Sequence, residues 1–228
     1  MRRRRDPCCA HLAAWLAFRG RQLQPLPGEA ARFLRALDPQ AKGFSFRTFS
    51  DTPYTRRPDG DPLEWALHGP LEACWPRLLE LNRQGAAICV TINATACRGS
   101  WFAPGSHGRG PADIRRVRAL FIDDDRPPVS SRGRFALTPQ IQVVSSAGRY
   151  HHYWLVRELP LGRFSRLQQR LAERFGADHR VAALNQAMQL PGLWRRKQPQ
   201  RPVLPRLRRI TAIPPYDERE IERLLAGG

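Results

Sequence analysis

Apolar and polar positions along the chain alternate between the helical and the extended period. Apolar residues at helical spacing predict helices over Pro7 to Arg19, Glu29 to Leu37, Leu71 to Gln84, Gly162 to Phe175 and Asp217 to Ala226. Alternating or short apolar runs predict strands over Gly43 to Phe49, Ala86 to Ile92, Ile141 to Ser145, Tyr150 to Val156 and Val203 to Ile210. We therefore expect helices and strands to be mixed along the chain.

The segments between these elements are rich in Pro, Gly and charged residues. Thr52 to Pro70 has the composition of a connector, and Arg126 to Pro139 that of a polar loop. Ala94 to Ala112 shows no convincing period, and so long a loop is usually either functional or a surface insertion. Its Arg98 and Arg109 are candidates for phosphate contacts under the first alternative.

The stretch with the most distinctive chemistry is VRALFIDDD, from Val117 to Asp125. Its apolar residues suit a buried strand, but three consecutive carboxylates cannot enter a core unpaired. Side chains alternate along a strand, so Asp123 and Asp125 would share one face and Asp124 would point to the other. Two carboxylates on one face suit a divalent metal ion, while the alternative is an acidic turn that ends the strand.

Two further segments carry candidate polar groups. The turn Ser146-Ala147-Gly148-Arg149 between two strands predicts a hairpin, and it is followed by His151 and His152, each either a packed strand histidine or a ligand. Asp178 either caps a short second helix or binds a metal ion. Apolar residues at Val181, Leu184 and Met188 predict that helix, which Leu190-Pro191-Gly192 would end.

The charge of the chain points to a polyanionic partner. Its 228 residues contain 38 Lys and Arg against 20 Asp and Glu, a formal net charge of +18 that comes mostly from Arg. Arginine pairs bidentately with phosphate, which favours nucleic acid over a membrane surface, although a GC-rich genome would explain part of the excess. Five cysteines without CxxC spacing support neither a zinc site nor a disulfide framework.

The N-terminus superficially resembles a secretory signal because four arginines precede an apolar run. It lacks a small-residue cleavage site, and the pair Asp6-Pro7 suits the start of an ordinary helix. No segment has the roughly 18 apolar residues that a membrane span requires. The expected location is the cytoplasm.

The spaced motifs together resemble the RepB-like DNA primases of plasmids and phages, within the archaeo-eukaryotic primase superfamily. The resemblance is carried by LLELNRQGAAICVTIN, DIRRVRALFIDDD, VVSSAGRYHHYW, FGAD and LPGLWRRK, and covers roughly residues 78 to 200. It implies an α+β fold with an archaeo-eukaryotic-primase-like catalytic core, in which an N-terminal α/β portion packs on a C-terminal RRM-like sheet module. Residues 1–70 then hold helices, a strand and a connector without an assigned role, and residues 71–228 hold the catalytic region, which is either separate from 1–70 or continuous with it.

The resemblance also implies roles for individual residues. The metal and catalytic carboxylates would be Asp123, Asp125 and Asp178, and the hairpin histidine would be His151, which also contacts the nucleotide. Further nucleotide contacts are expected from Ser146, Arg149 and Lys197. The implied cofactor is Mg²⁺ or Mn²⁺. The implied partners are a single-stranded DNA template, nucleoside triphosphates and a separately encoded replicative helicase.

The chain departs from the family pattern at two positions. Asp124 stands where an apolar residue is usual, which leaves open which two of the three aspartates bind metal. Gln189 precedes the LPG motif where relatives commonly carry Arg, so a phosphate contact is either absent or moved. The chain also ends soon after the last motif, as would a free-standing catalytic domain, a truncated one, or one that works with a separately encoded helicase.

The expected function is metal-dependent, template-directed synthesis of short primers for plasmid or phage DNA replication by a nucleotidyltransferase, with DNA polymerase activity as a possible extension. The alternative is a non-catalytic, DNA-binding replication-initiation protein with a decayed primase fold, which the Gln189 departure favours and the four intact site residues oppose. A sugar-nucleotide transferase using the same D-x-D motif is disfavoured by the basic charge and the hairpin histidine.

Overall fold

The computed structural model describes residues 24–52, 60–96, 101–104, 110–124, 137–178, 181–198 and 200–226. The helices are α1 (Pro27–Leu37), α2 (Leu71–Gln84), α3 (Leu161–Phe175) and α4 (Glu218–Ala226). The strands are β1 (Phe44–Ser50), β2 (Trp65–Gly69), β3 (Ala86–Thr91), β4 (Ala94–Thr95), β5 (Trp101–Pro104), β6 (Ile114–Arg116), β7 (Ala119–Asp124), β8 (Ile141–Ser146), β9 (Arg149–Leu155), β10 (Ala187–Gln189) and β11 (Arg206–Ile210).

One antiparallel sheet has the strand order β10-β3-β1-β2-β5. Every residue of β3 is buried, as expected of a central strand. The sheet combines strands from the first 70 residues with β3, β5 and β10 from the rest of the chain. Its β3 and β10 form one wall of the cavity described below.

A second antiparallel sheet has the order β11-β8-β9-β7 and is built around a hairpin. Gly148, with a φ of 72°, supplies the left-handed turn between β8 and β9. The outer edge of β7 is covered by Gln168 of α3, which accepts the N–H of Phe121 at 3.1 Å and donates to its carbonyl. At the opposite edge, Glu29 of α1 accepts the N–H of Leu207 at 2.6 Å.

A buried ion pair ties the end of α1 to the segment before β7. Nε of Arg118 donates to Asp38 at 2.7 Å, and Arg116 donates to the same carboxylate oxygen at 2.6 Å. Burial alone would raise the pKa of Asp38, but hydrogen bonds and charge from Arg118 and Arg116 outweigh it and lower the pKa. The pair fixes the start of β7, at the end opposite to its carboxylates.

Most predicted elements are confirmed, including helix α2, strands β1 and β3 and the β8–β9 hairpin. Three expectations are wrong. The connector contains β2, and the loop after β3 contains β4, β5 and a 3₁₀ turn at Pro111–Asp113. The helix predicted through Val181, Leu184 and Met188 does not form, because Ala187–Gln189 pairs as β10 with β3. The helix predicted over residues 7–19 lies outside the described residues.

The mixed fold with antiparallel sheets agrees with the expected α+β class. None of the helices formed by the described residues is long and apolar enough to span a bilayer.

Candidate active site

The centre of the candidate site is a cross-strand pair. Asp123 near the end of β7 lies opposite His151 of β9, with 3.5 Å between Oδ1 of the aspartate and Nε2 of the histidine. The imidazole is buried, whereas the carboxylate keeps about a third of its surface exposed, at 36%. A buried imidazole therefore contacts a carboxylate that is partly exposed to solvent.

His151 is neutral in this position. Burial, with smaller contributions from the charges of Arg195 and the neighbouring His152, lowers its pKa to about 3. Burial also raises the pKa of Tyr153 well above its usual range, so its hydroxyl keeps its proton. That hydroxyl lies 3.4 Å from Nδ1 of His151. If the phenol donates to Nδ1, the single proton of the neutral ring is on Nε2 and faces Asp123.

Asp123, His151 and Asp178 line one open cavity of about 240 Å³. The three residues are far apart in the sequence. Asp178 arrives there because α3 ends at Gly176, a left-handed C-cap with a φ of 54°, from which the chain turns towards the cavity. The opposite wall is formed by the first sheet, from β1, β3 and β10, and includes the exposed ring of Phe49.

A rigid loop brings Arg195 to the same cavity. Gly192 has a φ of 89°, and a Cβ there would lie 2.4 Å from the carbonyl oxygen of Leu26, so only glycine fits. Asn82, buried at the end of α2, accepts the N–H of Trp194 at 3.0 Å and donates to its carbonyl at 2.7 Å. These contacts fix the backbone immediately before the arginine.

Asp51, immediately after β1, is a further carboxylate lining the cavity. It accepts the backbone N–H of Arg196 and so holds the loop that carries Arg195. Burial raises the pKa of Asp51, against the opposing effect of the Arg196 hydrogen bond and of the nearby cations at 195–197. Asp51 therefore positions the loop and adds an acidic group to the cavity that Asp123 also lines.

Gln189 contributes a buried amide. Its side chain lines the cavity, is only 8% exposed, and its Nε2 has no hydrogen-bond partner among the described residues. A buried polar atom without a partner costs about 1–3 kcal/mol, so such atoms are rare and usually have a ligand or a functional reason.

The other predicted site residues have different positions. Asp125 lies outside the described residues. Ser146, Arg149 and Lys197 do not line the cavity: Ser146 is half-buried at the end of β8, and the two cations are exposed. Their nucleotide-binding roles stay predictions.

Asp124 is turned to the opposite face of the sheet, as alternation predicts. Its carboxylate lies 3.7 Å from Nε2 of His152. It is only 2% exposed, so it is buried on that face. Strand β9 therefore carries two aspartate–histidine contacts, one on each face.

Asp123 and Asp178 are the cavity carboxylates that could hold a magnesium ion. Mg²⁺ keeps several waters and is usually held by one or two protein carboxylates plus substrate phosphates, which Asp123 and Asp178 would supply. No group of three His, Cys, Asp or Glu side chains within the described ranges is close enough to hold an ion by itself.

Sequence reasoning missed Asp51, Arg195 and Phe49 as cavity residues. Asp51 carried a usable signal, because it is a carboxylate directly after a predicted strand, as Asp123 is. Arg195 was hidden in the run of three cations at 195–197, where nothing local shows which side chain turns inward.

Comparison with known proteins gives a consistent result. The RepB DNA-primase N-terminal domain family matches residues 80–212. The primase-polymerase domain of cyanophage S-2L has a similar structure, with a TM-score of 0.66 and 19% identity over 88% of this chain and 98% of that one. No curated protein matches the sequence.

Two structures of the primase RepB′ are also similar. One has a TM-score of 0.57 at 17% identity, over 87% of this chain and 60% of that one. The other is its catalytic domain in complex with initiator DNA, with a TM-score of 0.52 at 19% identity over 87% of this chain and 90% of that one. At these identities the structural likeness shows a shared fold.

Proposed function

The chain belongs to the RepB DNA-primase N-terminal domain family, and on that premise we propose that it is a DNA primase that synthesises short primers on single-stranded DNA. The observation that carries the proposal is the convergence of Asp123, His151 and Asp178 on one cavity. The activity would serve plasmid or phage replication, with nucleoside triphosphates as substrates and a separately encoded helicase as a partner.

The reaction is the attack of a 3′-hydroxyl on the α-phosphorus of a nucleoside triphosphate. The new bond joins the 3′-oxygen to phosphorus, the O–H bond of the hydroxyl breaks and its proton passes to solvent. The bond from phosphorus to the bridging oxygen breaks, and pyrophosphate leaves with the electron pair. Mg²⁺ or Mn²⁺ bound at the carboxylates would activate the hydroxyl and neutralise the leaving group. Asp125 is proposed as a third ligand.

The side chains around these carboxylates have separable tasks. Arg195 lies in the cavity and would bind phosphate oxygens of the triphosphate, a task that its planar guanidinium suits. Neutral His151 stands behind Asp123 and would fix the orientation of that carboxylate. Phe49 offers an exposed ring at the cavity wall for contact with a base or sugar.

The RRM-like sheet module and the boundary at residue 70 are part of the same proposal. We describe the β11-β8-β9-β7 sheet as an RRM-like module, which its four antiparallel strands support. The division at residue 70 is proposed as a boundary within one continuous domain, because the first sheet takes strands from both sides of it.

Primer synthesis by the purified chain is the direct test. Protein, single-stranded template, nucleotides and Mg²⁺ or Mn²⁺ should yield short products, and Asp123→Asn and Asp178→Asn should each reduce synthesis by about 10²–10³-fold. Asp113→Asn, which lies away from the cavity and keeps an acceptor for the Gly110 N–H, serves as the matched control. Absence of products on every template, or full activity of Asp123→Asn, would contradict the proposal.

A non-catalytic DNA-binding protein is the second candidate, and neutral Gln189 in place of the family's arginine favours it. Calorimetry separates the two functions. A primase binds a nucleoside triphosphate more tightly when Mg²⁺ is present, and this gain is lost in Asp123→Asn. A non-catalytic protein with a decayed primase fold binds DNA, but Mg²⁺ does not increase its affinity for a nucleoside triphosphate.

A further inference from the structure

A column of aromatic rings runs along the face of β9 opposite to the Asp123–His151 pair. Tyr150 and His152 are stacked with ring centroids 6.0 Å apart, and His152 and Trp154 are 6.3 Å apart. Trp154 stacks in turn on Phe175 at 5.8 Å. His152 and Trp154 are buried, and half-buried Tyr150 ends the column at the surface.

Arginines of the neighbouring edge strand extend this column. The guanidinium of Arg208 lies 5.3 Å above the Tyr150 ring, and its Nη1 donates to the Tyr150 hydroxyl at 3.2 Å. Arg208 and Arg209 are both exposed. Arg209 pairs with Gln142, which pairs with His152, so the register places Arg209 on the same face as the rings.

A bulge in β11 is what allows two consecutive arginines to share that face. In a regular strand neighbouring side chains point to opposite faces. Here the register shifts between Leu207 and Arg209, which makes Arg208 an extra residue. An extra residue in a bulge re-aims its side chain, and the contact of Arg208 with Tyr150 shows the result.

The surface formed by Tyr150, Arg208 and Arg209 lies near the cavity but on the other face of the sheet. Tyr150 pairs with Asp124, and the adjacent rung pairs His151 with Asp123. The surface and the cavity therefore lie on opposite faces of the same end of the sheet. Arg149 is exposed at the tip of the hairpin.

We propose that Tyr150, Arg208 and Arg209, here called the Tyr150 patch, bind the single-stranded template that enters the cavity; the template role rests on the proposed function. Aromatic rings and guanidinium planes stack on unpaired bases, and exposed arginines pair with the phosphates between them. Stacking requires bases that are not paired, so the patch fits a single strand better than a duplex. The strand would pass over the hairpin tip into the cavity.

Binding of a fluorescently labelled oligothymidylate, followed by anisotropy in EDTA across a salt series, tests the patch without catalysis. Tyr150→Leu should weaken binding by about 5- to 150-fold with little change in the salt slope, because it removes stacking. Arg208→Gln and Arg209→Gln should each weaken binding and reduce the slope of log K against log salt by about 0.7, because each removes one phosphate contact.

Arg166→Gln is the matched control, since it removes one exposed cation from α3. Tyr150→Phe is the conservative control and should bind as the wild type does. If Tyr150→Leu is unfolded by circular dichroism, the two exposed arginine variants carry the test. Binding by both arginine variants that equals that of Arg166→Gln overturns the proposal.

The template role and the proposed function fail in different ways. With an active enzyme, Arg208→Gln should raise the KM for template and leave kcat unchanged. Absence of synthesis in every protein, together with weakened anisotropy binding in the patch variants, rejects the primase function and keeps the surface as a single-strand site.

Discussion

Oδ1 of Asp123 lies 3.5 Å from Nε2 of His151, across a rung that joins two adjacent strands. Because burial lowers the pKa of the histidine to about 3, the contact joins a neutral ring to a carboxylate at physiological pH. The histidine thus orients the aspartate without neutralising its charge. A carboxylate that keeps its full charge can still attract a cation.

Replacement of His151 should show whether a neutral N–H donor is enough to orient Asp123. His151→Ala removes the histidine that contacts Asp123 and should lower the kcat of primer synthesis by about 10²-fold, as the loss of a group that positions a catalytic carboxylate does. His151→Gln keeps a neutral N–H donor and should retain more activity. Steady-state kinetics of both variants with Mg²⁺ checks the order, and equal loss in the two would contradict an orienting donor.

Asp124 should matter for stability and little for nucleotide binding. It is buried beside His152 on the face away from the cavity, and Asp124→Ala would remove its charge and leave polar groups without a contact. We expect a loss of about 1–3 kcal/mol in the free energy of unfolding, measured by urea titration. Metal-dependent nucleotide affinity should stay near the wild-type value, in contrast to Asp123→Asn. A stable Asp124→Ala that fails to bind nucleotide would show that Asp124 is a ligand.

Gln189→Leu should weaken nucleotide binding without destabilising the protein. The buried Nε2 of Gln189 has no partner among the described residues, so an apolar replacement of similar size is close to neutral or stabilising. If that amide donates to the nucleotide, its loss should raise the KM for nucleotide by about 5- to 10-fold. Thermal unfolding and steady-state kinetics on one preparation provide the comparison. An unchanged KM would assign the amide no role in binding.

Arg118→Met should destabilise the chain strongly. Arg118 and Asp38 are both buried, and removal of one member of a buried pair leaves the other charge poorly compensated, at a cost of about 3–5 kcal/mol. Arg116→Met, at a side chain that is 55% exposed, is the control and should cost under about 1 kcal/mol. Equal costs measured by urea unfolding would contradict the assigned importance of burial.

The ion pairs of Asp38 with Arg116 and Arg118 should also give a loss of stability at acid pH. The folded-state pKa of Asp38 is lowered below the reference value of 3.8, so this carboxylate binds its proton more weakly in the folded chain than in the unfolded one. Its contribution is therefore present above the unfolded pKa and is lost as pH falls through the folded pKa. The stability difference between the wild type and Asp38→Asn should shrink as pH is lowered below about 4. If urea titrations show a stability difference that does not change with pH, the lowered pKa of Asp38 is contradicted.

Local sequence patterns predicted the elements that are determined locally. The β8–β9 hairpin has a glycine where the turn requires positive φ, and alternation placed Asp123 and Asp124 on opposite faces, as observed. The same alternation could not show that Asp124 is buried, because burial depends on what packs against that face of the sheet.

Elements that depend on distant partners were harder to predict. Residues 187–189 continue an apolar spacing typical of a helix, yet they pair with β3, about a hundred residues earlier in the chain, because that pairing satisfies their backbone hydrogen bonds. Asp51 and Arg195 reach the cavity through the contact of Asp51 with the Arg196 backbone. No local pattern contains that contact.

Side chains from α3 and α1 cover parts of the two outer edges of the β11-β8-β9-β7 sheet, and this affects self-association. Exposed strand edges offer free backbone groups to which another chain can add a strand, a common start of aggregation. Gln168 occupies both backbone groups of Phe121 on one edge, and Glu29 occupies the N–H of Leu207 on the other. An added strand would have to displace a buried amide or a carboxylate, so these two contacts protect the sheet against extension at concentrations where bare edges would pair.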